Sequence, residues 1–379
     1  MHLVDITMFY AAEGGGVSTY LNAKARWLAQ RSRVHHTILS PNIGSATPGT
    51  PALVRVPGVA LPGIHGYRVP LSVGGPARQI MALQPDLIEA GDAGHAALAA
   101  LRVRRRSGVP VVAFYHSDLP QLVHARLGHA AMRATRTYLT QLYRQFDLVM
   151  APSRLMKQQL DELGVRHAVH QPLGIDVATF NPARRTLALR SVLNLPPETR
   201  LLVYAGRFTP EKKLTLLIDA VRRLGAPYHL LLIGGGAPLP RCECTSVIPF
   251  QRDQRALARM LASCDALVHP GDCETFGLIV LEAMACGLPV VGTSSGGVAE
   301  LIDDATGVKV LPNRVESLCD GIEALYSGDL AAVGRVAACK AREQYDWSRI
   351  MPQLMNRYAG LLASRERADL EAEVACVTK

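Results

Sequence analysis

Short continuous apolar runs alternate along this chain with longer stretches whose apolar positions recur every three or four residues. In the first half the runs are His2-Leu-Val-Asp-Ile-Thr-Met, His36-Thr-Ile-Leu, Asp86-Leu-Ile-Glu, Val111-Val-Ala-Phe-Tyr and Leu148-Val-Met-Ala-Pro. In the second half they are Leu201–Ala205, Leu230-Leu-Leu-Ile, Ser246-Val-Ile-Pro, Ala266–His269, Pro289-Val-Val-Gly and Val308-Lys-Val-Leu. Each reads as a strand without in/out alternation, and the stretches between them carry the helical period. Strands apolar on both faces require cover on both faces, which predicts parallel sheets and two doubly wound α/β domains. A Gly/Pro-punctuated segment, Pro172 to Pro182, separates the two rounds. After Trp347, apolar Ile350, Leu354, Tyr358 and Leu361 fall at helical spacing and predict a final helix. No short-period repeat and no low-complexity segment interrupts the pattern.

A length of 379 residues suits two domains with ample core. No run of eighteen apolar residues and no basic-then-apolar leader stands in the sequence, so the pattern predicts a soluble, cytoplasmic protein. All eight cysteines lie between Cys242 and Cys376, and Cys242-x-Cys244 is too close for a zinc pair. Reduced thiols are the expectation. Charge is uneven. Through Arg185 there are 20 Lys and Arg against 10 Asp and Glu; beyond it there are 21 against 22. A basic first half suits an anionic surface as partner.

The chemistry concentrates in Glu274-Thr-Phe-Gly-Leu-Ile-Val-Leu-Glu282. The segment follows a strand and a Pro270-Gly-Asp-Cys loop, and predicts a helix from about Phe276 to Cys286, stopped by Gly287 and Pro289. Its first-turn amides, from about Thr275, Phe276, Gly277 and Leu278, together with the positive end of the dipole, make a seat for a phosphate. Eight positions at a rise of ~1.5 Å separate the carboxylates by ~12 Å, too far to share a metal or a proton. That separation fits the two ends of a sugar nucleotide, with Glu274 on the hexose, Glu282 on the ribose and the diphosphate between.

This Glu-x7-Glu segment, with the Ala283-Met-Ala-Cys-Gly-Leu-Pro-Val-Val that follows, closely resembles the signature of family 4 retaining glycosyltransferases. The wording around Gly271-Asp-Cys-Glu-Thr-Phe-Gly is nearest to bacterial mannosyl- and glucosyl-transferring members. The resemblance implies the GT-B fold, two Rossmann-like domains facing a central cleft. It places a first domain at 1–175, a nucleotide-sugar-binding domain at 176–346, and a tail at 347–379 that crosses back to the first. The segment Gly174-Ile-Asp-Val-Ala-Thr-Phe-Asn-Pro182 is similar to the family's hinge.

A second cluster supports the same site. The strand Leu201–Ala205 ends in Gly206-Arg207-Phe-Thr-Pro-Glu-Lys212, where Gly206 permits close backbone approach and Arg207 projects at the strand's carboxyl end. Two fixed cations, Arg207 and Lys212, can neutralise a departing diphosphate. They match the family's Gly-Arg-x4-Lys pattern. In the first domain, Gly14, Gly15 and Gly16 open a helix after the first strand. A dinucleotide fingerprint there fails, because Thr19 stands where Gly or Ala is needed and no acidic residue closes the second strand at Leu39-Ser40. The resemblance places these glycines near the donor phosphates and the acceptor. It also places His116, after the strand Val111–Tyr115, beside the donor sugar, and gives Ile248-Pro-Phe250 the backbone contacts to the base. Asp92 and Asp118 are candidates for acceptor contacts, and equally for loop caps.

On a helix from about Gln121 to Phe146, Arg126, Arg133 and Arg144 fall within roughly 20° of one line, with Leu127, Tyr138, Leu142 and Phe146 opposite. With the cluster Arg102, Arg104, Arg105 and Arg106, this predicts weak peripheral attachment to an anionic inner membrane face, as well as reading as an ordinary solvated face. No aromatic-basic platform speaks for nucleic acid. The expected activity is retaining transfer of a hexose from a nucleoside diphosphate sugar, GDP-mannose or a UDP-hexose, to a hydroxyl of a glycolipid or glycan. No cofactor and no metal is expected, since no Asp-x-Asp site stands in the chain. Two rivals remain open: a nucleotide-sugar epimerase or phosphorylase of like fold, and a non-catalytic sugar-nucleotide-binding relative.

Overall fold

The computed structural model describes residues 1–10, 14–31, 33–43, 52–60 and 67–377, with side chains as far as residue 367. The chain forms two compact units, one of Met1–Pro172 with everything from Ile350 onward, the other of Leu173–Arg349.

In the first unit the elements are β1 (His2–Ile6), α1 (Gly16–Ala29), β2 (His35–Ser40), β3 (Ala52–Arg55), β4 (Gly58–Ala60), β5 (Arg68–Pro70), α2 (Gly74–Ala82), β6 (Leu87–Ala90), α3 (His95–Ser107), β7 (Val111–Phe114), α4 (Leu119–Tyr143), β8 (Leu148–Ala151), α5 (Arg154–Glu162) and β9 (Ala168–His170). Seven strands pair in the order β3-β2-β1-β6-β7-β8-β9, every pair parallel. The apolar runs that marked β1, β6, β7 and β8 are buried almost throughout, as a sheet covered on both faces requires. β3 and β9 had no sequence signal of their own, being edge strands of four and three residues.

The second unit contains α6 (Ala188–Val192), β10 (Arg200–Phe208), α7 (Leu214–Leu224), β11 (Tyr228–Gly236), β12 (Thr245–Ile248), α8 (Gln254–Ala262), β13 (Ala266–His269), α9 (Leu278–Ala285), β14 (Val290–Thr293), α10 (Val298–Leu301), β15 (Gly307–Val310), α11 (Val315–Ser327), α12 (Leu330–Tyr345) and the start of α13 (Trp347–Val377). Its sheet runs β12-β11-β10-β13-β14-β15, again wholly parallel. All six strands stand where the apolar runs predicted them. The core joins Leu202, Tyr204, Leu230, Leu232 and Val268 of the sheet to Leu217, Ile218 and Val221 of α7 and Leu318 and Ile322 of α11. Two parallel α/β units of this kind are the GT-B architecture.

Strand order reverses between β1 and β6 in one sheet and between β10 and β13 in the other. A ligand crevice forms outside the carboxyl ends of strands at such a reversal, because adjacent connections leave to opposite faces.

Three expectations need correction. The helix after Glu274 begins at Leu278 and not at Phe276, because Gly277 adopts a left-handed φ of 97° that an α-helix cannot continue through. The amides of Thr275 and Phe276 are therefore outside the first turn. Gly128 (φ 76°, ψ −172°) breaks α4, so Arg126 loses phase with Arg133 and Arg144. Leu127 is correspondingly exposed at 72%, whereas Leu142 and Phe146 are buried. Finally, Cys242 and Cys244 form a disulfide, their Cα atoms 5.2 Å apart, while Cys264, Cys273, Cys286, Cys319 and Cys339 are free. A turn before β12 brings the pair within bridging range.

Candidate active site

The reversal between β10 and β13 collects the second unit's chemistry. β10 carries Gly206 and Arg207 in its last turn of pairing, in register with Gly234 and Gly235 of β11. A side chain on Gly234 would stand 1.9 Å from the carbonyl oxygen of Gly206, so only glycine lets the two strand ends lie so close. Arg207 is exposed at this edge. A short 3₁₀ turn, Pro210–Lys212, follows, and Lys213 with φ 55° starts α7. This turn carries Lys212 towards the loop that leaves β13.

That loop holds Glu274, and Lys212 Nζ donates to its Oε1. His269, the last residue of β13 and fully buried, places Nε2 3.3 Å from the same oxygen. Burial would raise the Glu274 carboxyl, but Lys212 and then His269 outweigh it and hold the group well below the ordinary carboxylate range. Glu274 is an anion at any physiological pH. The Tyr204 phenol lies among Glu274, Glu211 and Arg207; burial, then the two carboxylates, push it up.

Backbone contacts fix the Glu274 loop from behind. Gly297 N–H donates to the Glu274 carbonyl at 2.6 Å, Thr293 Oγ1 to Gly271 O at 2.8 Å and Ser295 Oγ to Asp272 O at 3.2 Å. A Cβ on Gly297 would come within 2.3 Å of Thr275 O. Thr275 is half-buried, whereas Phe276 points into the core and meets Tyr345 at 6.2 Å between ring centres. Phe276 can therefore meet a ligand through its backbone alone. Beyond Gly277, the amides of Leu278 and Ile279 have no place in the helix ladder and remain for an anion.

Glu282 sits in the middle of α9 and is 8% exposed. Among the described residues no cation and no side-chain hydrogen bond reaches its carboxyl, and burial alone pushes it up to about 8. The two glutamates thus differ in kind, one a paired anion and one a neutral acid without a partner. Phe250, 44% exposed, follows the edge strand β12.

In the first unit, Gly14 (φ 91°) and Gly15 (φ 120°) use left-handed backbone to turn into α1, whose first residue is Gly16. His116 follows β7 and stacks on Phe114, ring centres 4.2 Å apart and planes 5° from parallel, with Tyr20 5.5 Å away. Burial and the nearby Lys24 charge lower its imidazole to about 3, so the ring is neutral. Asp92 accepts from the backbone amides of Met8, Gly94 and Ala96, tying the loop after β1 to the start of α3. Asp118 caps α4 through the Gln121 amide at 3.2 Å. Both serve as caps, the local role such residues take at helix starts.

Residues 14–179 match the glycosyltransferase family 4 domain, and residues 199–328 match the domain described as glycosyl transferases group 1. The chain belongs to glycosyltransferase family 4. It is 28% identical, across 98% of its length and 99% of the relative's, to a GDP-mannose-dependent alpha-(1-6)-phosphatidylinositol dimannoside mannosyltransferase of Mycobacterium tuberculosis. A GDP-mannose-dependent alpha-mannosyltransferase of Corynebacterium glutamicum is 26% identical over 84% of this chain and 78% of its own. In structure the transferase resembles the sucrose-phosphate synthase of Thermosynechococcus elongatus (TM-score 0.82, 20% identity, 96% of this chain and all of that one). It also resembles Anabaena HepE in complex with UDP and glucose (TM-score 0.77, 18% identity, 95% of this chain and all of that one). The protein is a nucleotide-sugar glycosyltransferase.

Two groups in the transferase escaped the sequence reading. His269 closes an apolar run and looks like core. Lys24 lies in α1 with 0% exposure, donating to Asp5 at 2.8 Å, Glu89 at 3.1 Å and the Tyr358 hydroxyl at 3.0 Å. Tyr20 donates to Glu89 at 2.9 Å, Tyr358 donates to Glu89, and His36 bonds Asp5. The only trace in the sequence was a Tyr and a Lys four apart on one helix face.

Proposed function

We propose that the transferase moves a hexose from a nucleoside diphosphate sugar, GDP-mannose first and a UDP-hexose second, to a hydroxyl of a glycolipid or glycan with retention of configuration. The observation that carries this reading is the set of charges at the β10/β13 reversal: Lys212 paired with the anionic Glu274, Arg207 exposed at the end of β10, and farther along α9 the neutral Glu282, unpartnered among the described residues. GDP-mannose comes first because the two relatives above are GDP-mannose-dependent. A lipid-linked acceptor follows from the phosphatidylinositol dimannoside in the name of the first relative.

Arg207, Lys212 and the amides of Leu278 and Ile279 bind the diphosphate and stabilise the charge that develops as the bond to the sugar breaks. They fill the charge role that a divalent cation fills elsewhere, and no metal is invoked. Glu274 accepts hydroxyl hydrogens of the hexose, Glu282 those of the ribose, and the backbone near Phe250 borders the base. In the first unit, Gly14, Gly15 and Gly16 allow close approach to the phosphates or the acceptor, and the neutral His116 can accept or donate a single hydrogen bond at the sugar. Attack on the face from which the diphosphate leaves, with the leaving oxygen taking the acceptor proton, accounts for retention without a carboxylate nucleophile.

The test is incubation with GDP-mannose or UDP-glucose and a polyprenyl- or phosphoinositide-linked acceptor, with nucleotide release and the anomeric proton coupling of the product both measured. Acceptor-dependent release and an α product from an α donor are expected. Isomerised free sugar, or release that depends on inorganic phosphate, would replace the reading with an epimerase or a phosphorylase.

No helix among the described residues is long and apolar enough to cross a membrane. A lipid-linked acceptor is nonetheless reached at a cytoplasmic membrane surface. Exposed Arg133 on α4 and Arg144 at its C-cap, Arg126 on the separate limb before Gly128, and Arg102, Arg105 and Arg106 on α3 supply basic side chains for it. Arg104 is engaged with Asp147 at 2.6 Å. Pelleting with acidic liposomes should fall as salt rises, and fall further in the Arg126/Arg133/Arg144 triple alanine variant. Equal pelleting with neutral vesicles would leave a solvated face.

A further inference from the structure

A fully buried imidazole in the transferase makes no hydrogen bond with any described residue. Neither Nδ1 nor Nε2 of His269 has a hydrogen-bond partner among the described residues, although the side chain has 0% exposure. Such groups are rare in folded proteins, because each forfeits its water hydrogen bonds without replacement. A histidine kept in the core on those terms needs a reason that a leucine of similar bulk would not satisfy.

The geometry supplies one. Nε2 lies 3.3 Å from Glu274 Oε1, close enough to interact yet off the line of a good hydrogen bond. Lys212 Nζ already occupies that oxygen. The strand pairing of His269 with Gly292 anchors the ring's backbone, Tyr204 flanks it at 5.8 Å, and Gly271 passes so close that a Cβ there would stand 3.0 Å from His269 Cε1. The ring is confined on those sides, and its Nε2 edge faces the carboxylate.

Resting on the donor-site reading above, we propose that His269 is a positioning residue that takes over Glu274 when the donor diphosphate draws Lys212 away. In the empty site Lys212 and Glu274 neutralise each other. A bound diphosphate offers Lys212 a doubly charged partner at the position where the cation is needed. Glu274 Oε1 then loses its cation, and a carboxylate left alone in a mostly buried loop is free to turn from the hexose. A small rotation brings Nε2–H onto Oε1, so Glu274 stays oriented towards the sugar hydroxyls. The acceptor-only Nδ1 remains without a partner, which costs less than stranding an N–H.

The experiment compares His269→Leu, His269→Gln, Glu274→Gln and the Glu274→Gln/His269→Leu pair in the full-length protein, using GDP-mannose or UDP-glucose as donor and GDP and UDP as binding probes. His269→Leu is expected to lower kcat by roughly tenfold to a hundredfold, with Kd for the bare nucleotide within about twofold of wild type. His269→Gln keeps a donor N–H and should recover most of the loss. The pair should be no slower than Glu274→Gln alone, since both changes remove one function. A wild-type kcat in His269→Leu, a His269→Gln variant as slow as His269→Leu, or additive losses in the pair would each overturn the proposal. Wild-type turnover in Glu274→Gln would instead sink the donor-site reading beneath it. Should His269→Leu fail to fold, ¹⁵N NMR of the wild-type histidines decides: GDP or UDP should bring one buried imidazole to a hydrogen-bonded Nε2–H state, and an unchanged spectrum at saturation refutes the role.

Discussion

Replacing Glu282 with Gln should make the free transferase more stable and its nucleotide binding weaker, with both effects governed by one proton. Burial alone raises this carboxyl from 4.5 to about 8, and nothing among the described residues compensates it. A carboxyl raised on folding keeps a proton that the unfolded chain has lost. Its contribution is therefore fully present below pH 4.5 and is lost as the pH climbs to about 8. At about 1.36 kcal/mol per pH unit, the interval from 4.5 to pH 7 corresponds to a cost of about 3 kcal/mol. Gln fills the same space without titrating, and its unpartnered amide costs about as much as the unpartnered acid it replaces. For a unit of this size about 3 kcal/mol moves Tm by roughly 6–12 °C. The gain of Glu282→Gln over wild type should be small at pH 5 and approach that figure between pH 7 and 8, measured by differential scanning fluorimetry in buffers of matched ionic strength. Binding runs the other way. Ribose hydroxyls are held best by the carboxylate, so nucleotide binding releases a proton and wild-type affinity rises from pH 6 to 8. Losing a charged hydrogen bond weakens GDP or UDP by roughly tenfold to a hundredfold. Calorimetry in buffers of different ionisation enthalpy counts the proton. A Tm difference flat from pH 5 to 8, or a Gln variant that keeps wild-type nucleotide affinity, would refute the reasoning.

Arg207→Ala and Lys212→Ala should each lower turnover by ~10² or more with little change in melting temperature, because each removes a preorganised stabiliser of the leaving diphosphate; steady-state rates near wild type would remove both from the site. Glu274→Gln should lower kcat and leave bare-nucleotide Kd nearly unchanged, the opposite split to Glu282→Gln, and exchanged behaviour would mean that the donor lies the other way round. Lys24→Met should destabilise the first unit by about 3–5 kcal/mol in urea unfolding, since it leaves the Asp5 and Glu89 carboxylates buried without their cation; a loss below about 1 kcal/mol would show that the network is not ionised.

The central strands of the first sheet, all six of the second, the parallel class of both sheets and the candidate groups proposed for the donor site were legible along the chain, because each is a local property. A continuous apolar run means a strand covered on both faces wherever it occurs, and Gly206-Arg207-x4-Lys212 and Glu274-x7-Glu282 carry their chemistry in a few consecutive residues. Local rules also misplaced things. Gly277 adopts a left-handed φ of 97°, where an added Cβ would stand 2.8 Å from Val298 Cγ2, and the helix starts only after it, at Leu278. Gly128, with open space around it, interrupts the arginine line on α4 through its non-helical backbone alone.

Tertiary structure alone decided what depends on distance in space. Lys212 and Glu274 are 62 residues apart in the chain and share an ion pair because β10 and β13 are neighbours across the reversal of strand order. Lys24 and Tyr358 are 334 residues apart and share a hydrogen bond because the chain returns to the first unit from Ile350 onward. The protonation states of Glu274, Glu282 and His116 follow from burial and neighbouring charge, neither of which a residue type carries with it. Sequence names the groups that can do the chemistry; the dielectric and the partners that set their charge exist only once the chain is folded.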